Sequence, residues 1–156
     1  MANEFSTAGI VVKYAVEATA GTRPTTNYTV IDGIKATPDF NPEPSALEVT
    51  DLSDKIYKRY IGGLKDVGGA LAFTANLTTD FKTAWETLVS AAQTAAESSK
   101  ATWFEIAIPN FDSFYFAGMP NELGVSAFEV DSVAEIEAYV TPNQILGWDD
   151  ASTTSP

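Results

Sequence analysis

Only one segment of this sequence carries a helical period. Over residues 81–96, Phe81, Trp85, Leu88, Val89, Ala92 and Ala96 fall on one face at 3.6-residue spacing. Thr79 or Asp80 offers the N-cap, and a stop is expected near Ser98-Ser99-Lys100. A stripe of this kind is core packing rather than a ligand box. Elsewhere the apolar residues recur at every second position. Ile10, Val12, Tyr14 and Val16 alternate with Val11, Lys13, Ala15 and Glu17; Leu71, Phe73, Ala75 and Leu77 alternate with Ala72, Thr74, Asn76 and Thr78. Thr102, Phe104, Ile106 and Ile108 likewise face away from Trp103, Glu105 and Ala107. Further strands are expected over residues 28–36, interrupted at Asp32-Gly33, and over 113–118, 124–130 and 132–142. In the last of these, Ala134, Ile136, Ala138 and Val140 face the core, which leaves Glu135, Glu137 and Tyr139 opposite. One helix among many short strands implies a mainly β fold, a sandwich or barrel with one packed helix. The 156 residues fit a single domain, expected over 10–148, between an arm at 1–9 and a mobile polar tail at 149–156.

The stretch from Leu47 to Gly69 does not follow these periods. Pro38, Pro42 and Pro44 keep the chain extended up to a strand at 47–50, and a long loop at 51–66 comes next. That loop holds Lys55, Lys58, Arg59 and Lys65, four of the nine basic residues, interleaved with Ile56, Tyr57, Tyr60 and Ile61. Ordinary connections run to about four to six residues; a longer one rich in aliphatic and aromatic groups needs something to bury them against. A neighbouring copy of the same chain is the expected answer. Asp51 and Asp54 are expected to counter Lys55 and Lys58.

The net charge of -12 is unevenly distributed. Residues 1–50 carry six acids and three bases (-3), residues 51–66 three acids and four bases (+1), and residues 67–156 twelve acids and two bases (-10). A basic loop therefore sits on an acidic body, which disfavours tight phosphate-backbone binding. With no Cys and no His, neither a disulfide nor a thiolate metal site is possible, and the commonest general base is absent. The glycines at 63 and 68 have the spacing of a phosphate loop, but Gly69-Ala70 stands where Lys-Ser/Thr must follow. Asp51 and Asp54 lack the ligand spacing of a calcium loop. Glu135 and Glu137 are either a carboxylate pair for acid/base work or simply a solvated strand face, and paired acids on an exposed strand are usually the latter. No catalytic set, cofactor or metal is expected. No run approaches the ~20 apolar residues of a membrane span, so no membrane insertion is expected.

The order of elements resembles the major tail tube protein of long-tailed, siphovirus-type bacteriophages. The resemblance rests on Glu48-Val-Thr50-Asp-Leu-Ser-Asp54 and Tyr60-Ile-Gly-Gly-Leu-Lys-Asp66-Val-Gly68, followed by a strand, one amphipathic helix and a β-rich end. Ile31-Asp-Gly-Ile-Lys35 and Ser132-Val-Ala-Glu-Ile-Glu-Ala-Tyr-Val-Thr141 add to it, and it covers about residues 9–148. It implies a β-sandwich or barrel with a flanking helix, related to the type VI secretion tube protein. It further implies hexameric rings stacked into a hollow virion tail tube, assembled in the host cytoplasm around a tape-measure protein. Tail terminator and distal tail proteins would be further partners, and DNA would pass without specific binding. The resemblance implies no catalytic residues. On this reading Asp51, Asp54, Lys55, Tyr57, Lys58, Arg59, Tyr60 and Lys65 form an inter-subunit loop, and Glu135, Glu137 and Tyr139 line the lumen. Two other readings share the composition: a tube subunit of a secretion or contractile injection system, and a monomeric β-rich ligand-binding domain.

Overall fold

The structure, a computed structural model, describes residues 6–153. Residues 1–5 of the expected arm and 154–156 of the expected tail lie outside the described residues. The elements run β1 (Val11–Val16), β2 (Thr29–Ile31), β3 (Ile34–Ala36), β4 (Ala46–Glu48), β5 (Tyr60–Gly62) and β6 (Leu71–Asn76). Then follow α1 (Thr79–Glu97), β7 (Thr102–Ala107), β8 (Ser113–Pro120) and β9 (Glu135–Asp149). Seven strands form one antiparallel sheet in the order β2-β1-β7-β8-β9-β6-β3, and β4 pairs with β5 in a separate hairpin.

The two edges of that sheet, β2 and β3, are consecutive in sequence and joined only by Asp32-Gly33. Two residues cannot span an open sheet, so the sheet curls until its edges meet, giving a nearly closed barrel. Asp32-Gly33, a pair that by sequence suits a tight hairpin turn or a bulge, is therefore a corner: its two arms pair with β1 and β6, not with each other. Gly33 sits at φ +92°, which favours glycine.

Inside the curl, Val12, Ile31, Phe73, Phe104, Phe116, Ile136, Ala138 and Val140 pack against Phe81, Trp85, Leu88 and Val89 of the helix. Each such side chain, fully buried, stabilises by about 1.5–3 kcal/mol. Phe40, from the proline-rich connection, packs in tilted contact with its ring centroid 4.6 Å from that of Phe116 and 5.1 Å from that of Phe114, which pins the chain just before it leaves the barrel. The helix is capped by Thr78, whose hydroxyl accepts from the Phe81 N–H at 3.0 Å, rather than by Thr79 or Asp80. Its last buried position is Ala95, not Ala96, because four turns of about 3.6 residues from Phe81 carry the stripe there.

Three strand expectations change. Residues 124–130 form no strand and run as an exposed connection, since no sheet edge is left for them to pair with. Ala134 is accordingly exposed rather than inward-facing. β9 runs past Pro142 to Asp149: that proline pairs opposite Gly118 where the register shifts, a bulge at which a missing N–H is tolerated. Backbone approach there is so close that a Cβ on Gly118 would lie 2.7 Å from the Thr141 carbonyl oxygen.

β7 is buried on both faces, because its outer side is covered as well. Trp103, Tyr115 and Ala117 form a second cluster there with Tyr28 and Ala101. The C-terminal residues hold this layer down as far as Thr153, contrary to the tail expected to be mobile from residue 149. Thr153 forms a parallel bridge with Thr26 and donates its N–H to the Thr25 carbonyl at 3.1 Å. The reason is a carboxylate that needs donors. Glu105 is fully buried and accepts from the Ser152 N–H at 3.0 Å and from the Ser152 hydroxyl at 2.5 Å.

Candidate assembly interface

The loop expected at 51–66 comprises the tip of a β-hairpin, its return strand β5 and the residues at and just past its base. Leu47 stands opposite Ile61 in the β4–β5 ladder, and the Val49 N–H donates to the Arg59 carbonyl at 2.9 Å, carrying the pairing outward. At the base, Gly63 N–H donates to the Ser45 carbonyl at 2.6 Å and Ser45 N–H to the Leu64 carbonyl at 3.2 Å. Neither hairpin strand contributes a residue to either core cluster. Leu52, Ile56, Tyr57, Tyr60, Ile61 and Leu64 are all exposed, Leu52 completely.

Within the tip the acidic groups choose Arg59, not Lys55 and Lys58 as expected. Arg59 Nε lies 2.8 Å from Asp54 and its Nη2 3.3 Å from Asp51. The chain doubles back, which places residue 59 across from 50–54, and a planar guanidinium can serve two carboxylates at once. Asp51 accepts from the hydroxyl and N–H of Ser53, and these hold its carboxyl below the usual range. Asp54 is depressed by the Asp51 N–H and then by Arg59. Lys55, Lys58 and Lys65 have no ion pair among the described residues. The tip is thus internally braced, while Lys55 and Lys58 form no ion pair among the described residues and Leu52, Ile56 and Tyr57 stay exposed.

The second group of expected site residues lies on β9. Ile136, Ala138 and Val140 are buried, and Glu135, Glu137 and Tyr139 take the other face. Glu135 is neutralised by Lys35 of β3 at 2.5 Å. Glu137 accepts from the Tyr139 hydroxyl at 2.7 Å, an interaction that raises the phenol's pKa. Glu137 forms no ion pair among the described residues, so the net negative charge of this group rests on it. No hydrogen bond or ion pair among the described residues joins this face to the hairpin; the two groups are separate surfaces.

Sequence reasoning missed the buried polar layer. Burial alone would raise the Glu17 carboxyl, but N–H donors from Ala101, the Trp103 indole and Gly21 outweigh it and hold the pKa below the ordinary value. Burial opposes ionisation of Glu105 as well, yet donors from Ser113, Ser152 and Tyr115 depress it; the Ser113 hydroxyl contributes without reaching full hydrogen-bond geometry. Arg23 lies over the Tyr115 ring at 4.2 Å and pairs with Asp149 at 2.6 Å. These carboxylates are occupied in holding the outer layer. The one signal was Glu105 sharing a strand face with Trp103.

No family model and no curated protein matches the sequence. Among solved structures, the fold is similar to that of a chain in the cryo-EM structure of the anti-feeding prophage (AFP) baseplate, 6-fold symmetrised. The TM-score is 0.59 at 7% sequence identity, over 93% of this chain and 95% of that one. The two chains thus share a fold over most of their length.

Proposed function

We propose that this chain is a structural subunit of a phage-tail-like particle and that its hairpin is the element through which copies join. The observation that carries this is the hairpin itself, braced internally by Arg59 yet leaving Leu52, Ile56 and Tyr57 exposed and three lysines without an ion pair among the described residues. Solvated apolar groups on such an extension gain only by burial against another surface. The fold shared with a six-fold baseplate chain supports the same direction.

In its finer form the proposal is a tail tube: rings, hexameric as the resemblance implies, stacked around a tape-measure protein, with DNA passing later. Tail terminator and distal tail proteins would bound the tube. Glu135, Glu137 and Tyr139 then face the lumen, where a lysine would offer phosphates a counterion-releasing contact and a carboxylate does not. A second reading has its own support: likeness to an anti-feeding prophage baseplate chain favours a subunit of an injection apparatus with the same ring habit.

Electron microscopy of the purified protein tests the proposal. Rings or stacked tubes are expected at high protein concentration; particles that stay monomeric at every concentration would refute self-assembly. Long tubes favour the tail tube, and isolated rings the baseplate-like reading.

A further inference from the structure

Residues 121–134 leave the barrel and return to it under firm anchorage at both ends. The Asn121 N–H donates to the Tyr139 carbonyl at 2.9 Å, and the Asn121 carbonyl accepts from the Trp85 indole at 2.8 Å. Leu123 packs on the main core, and the Ala134 carbonyl accepts from the Leu77 N–H at 2.9 Å. Between these anchors the apolar side chains face outward: Val125 is 83% exposed, Phe128 59%, Val130 90% and Val133 71%. The same stretch holds Glu122, Glu129 and Asp131 and no Lys or Arg. None of the three acids forms an ion pair among the described residues. A cleft of about 210 Å³ lined by Phe128, Glu129, Val133 and Ala134 opens beside it.

The hairpin tip has the converse chemistry. Ile56 and Tyr57, 83% and 82% exposed, lie between Lys55 and Lys58, which are unpaired among the described residues. We propose that the hairpin tip of one copy seats on residues 121–134 of a second copy, a proposal that rests on the hairpin being an assembly element. Ile56 and Tyr57 cover the valines and Phe128, while Lys55 and Lys58 meet Glu129 and Asp131. The charges set register and steer the encounter, and apolar burial supplies the affinity. Because two different patches meet, the contact is head-to-tail, and repetition either closes a ring or continues as a filament.

One other exposed apolar patch competes for the hairpin: Phe111, Ile145, Leu146 and Trp148. It is a poorer match, since Phe111 and Phe114 already make edge contacts with Trp148 and the neighbouring Asp149 is already bound to Arg23. Residues 121–134 keep all three of their carboxylates unpaired among the described residues.

The absence of cysteine makes disulfide trapping clean. Full-length Ile56→Cys is mixed under mild oxidation with Val130→Cys, with Leu146→Cys, or with Ser90→Cys on the helix, with folding checked by circular dichroism. The Ile56→Cys and Val130→Cys pair is expected to cross-link at least about tenfold faster than either other pair, reflecting a raised effective concentration. A faster reaction with Leu146→Cys or Ser90→Cys would overturn the assigned acceptor but leave the hairpin as an assembly element. Equal slow reaction in all three mixtures, in protein that still associates by light scattering, would overturn both. In the second arm Glu129→Lys with Asp131→Lys should weaken association at least about tenfold, and adding Lys55→Glu with Lys58→Glu should restore it. Failure of the restoration, with all variants folded, would also overturn the pairing.

Discussion

Behind β7 a carboxylate, Glu105, is wholly out of solvent, while at the hairpin tip a leucine, Leu52, is wholly in it. Each placement reverses what its residue type prefers, and the two are handled differently. Glu105 is surrounded by donors from β8 and the C-terminal residues, so the misplaced charge is satisfied inside one chain. Leu52, Ile56 and Tyr57 stay exposed, with no such compensation among the described residues. The barrel is complete by itself and the hairpin is not. Stability and assembly should therefore be separable by mutation.

The sharpest way to break this comparison is to damage the barrel. Trp85→Ala removes a buried indole and its hydrogen bond to Asn121 and should cost about 3–5 kcal/mol, read by urea unfolding under conditions that keep the chain unassembled. Next comes Glu105→Gln, which keeps the shape but weakens charge-assisted hydrogen bonds; about 1.5–3 kcal/mol is expected. The same group gives a pH dependence. Glu17 and Glu105 have folded pKa values below their unfolded ones. Their contribution is therefore fully present above the unfolded value of about 4.3 and is lost as pH falls through the depressed folded values. Unfolding midpoints should drop steeply below about pH 4, and Glu105→Gln should flatten that slope.

These effects belong to a layer that sequence patterning could not expose. Period-2 alternation found β1, β6, β7 and the first half of β9, β8 was expected over 113–118, and the single helical stripe was correct apart from its last residue. Alternation reports which faces of a strand differ, not whether both are covered, so Glu105 read as an outward residue. Its cover comes from residues 18–28 and 149–153, whose small polar composition reads as loop and tail. Residues 124–130 are apolar enough to read as a strand, yet a nearly closed barrel leaves them no edge. At the hairpin, composition revealed exposed apolar and basic groups. Which base the acids would choose depended on a doubling back of the chain that carries no periodic signal.

Smaller effects on the fold are expected at the exposed surfaces. Lys55→Glu with Lys58→Glu should change stability by no more than about 0.5 kcal/mol while weakening association at least about tenfold in sedimentation. Reversing Arg59 would be a poorer probe, because it also breaks the bracing of Asp51 and Asp54. Glu137→Lys should alter neither fold nor assembly, yet slow DNA delivery if this face lines a tube. It isolates that effect better than Glu135→Lys, which would also set a second lysine against Lys35.

Hydrogen exchange on assembled and dissociated protein, followed by peptide mass analysis, tests most directly whether the hairpin is completed by another copy. Amides of residues 51–66 should exchange markedly more slowly in the assembly, while those of β7 and β8 remain equally protected in both states. Unchanged exchange across residues 51–66, with new protection confined to other surfaces, would contradict the account.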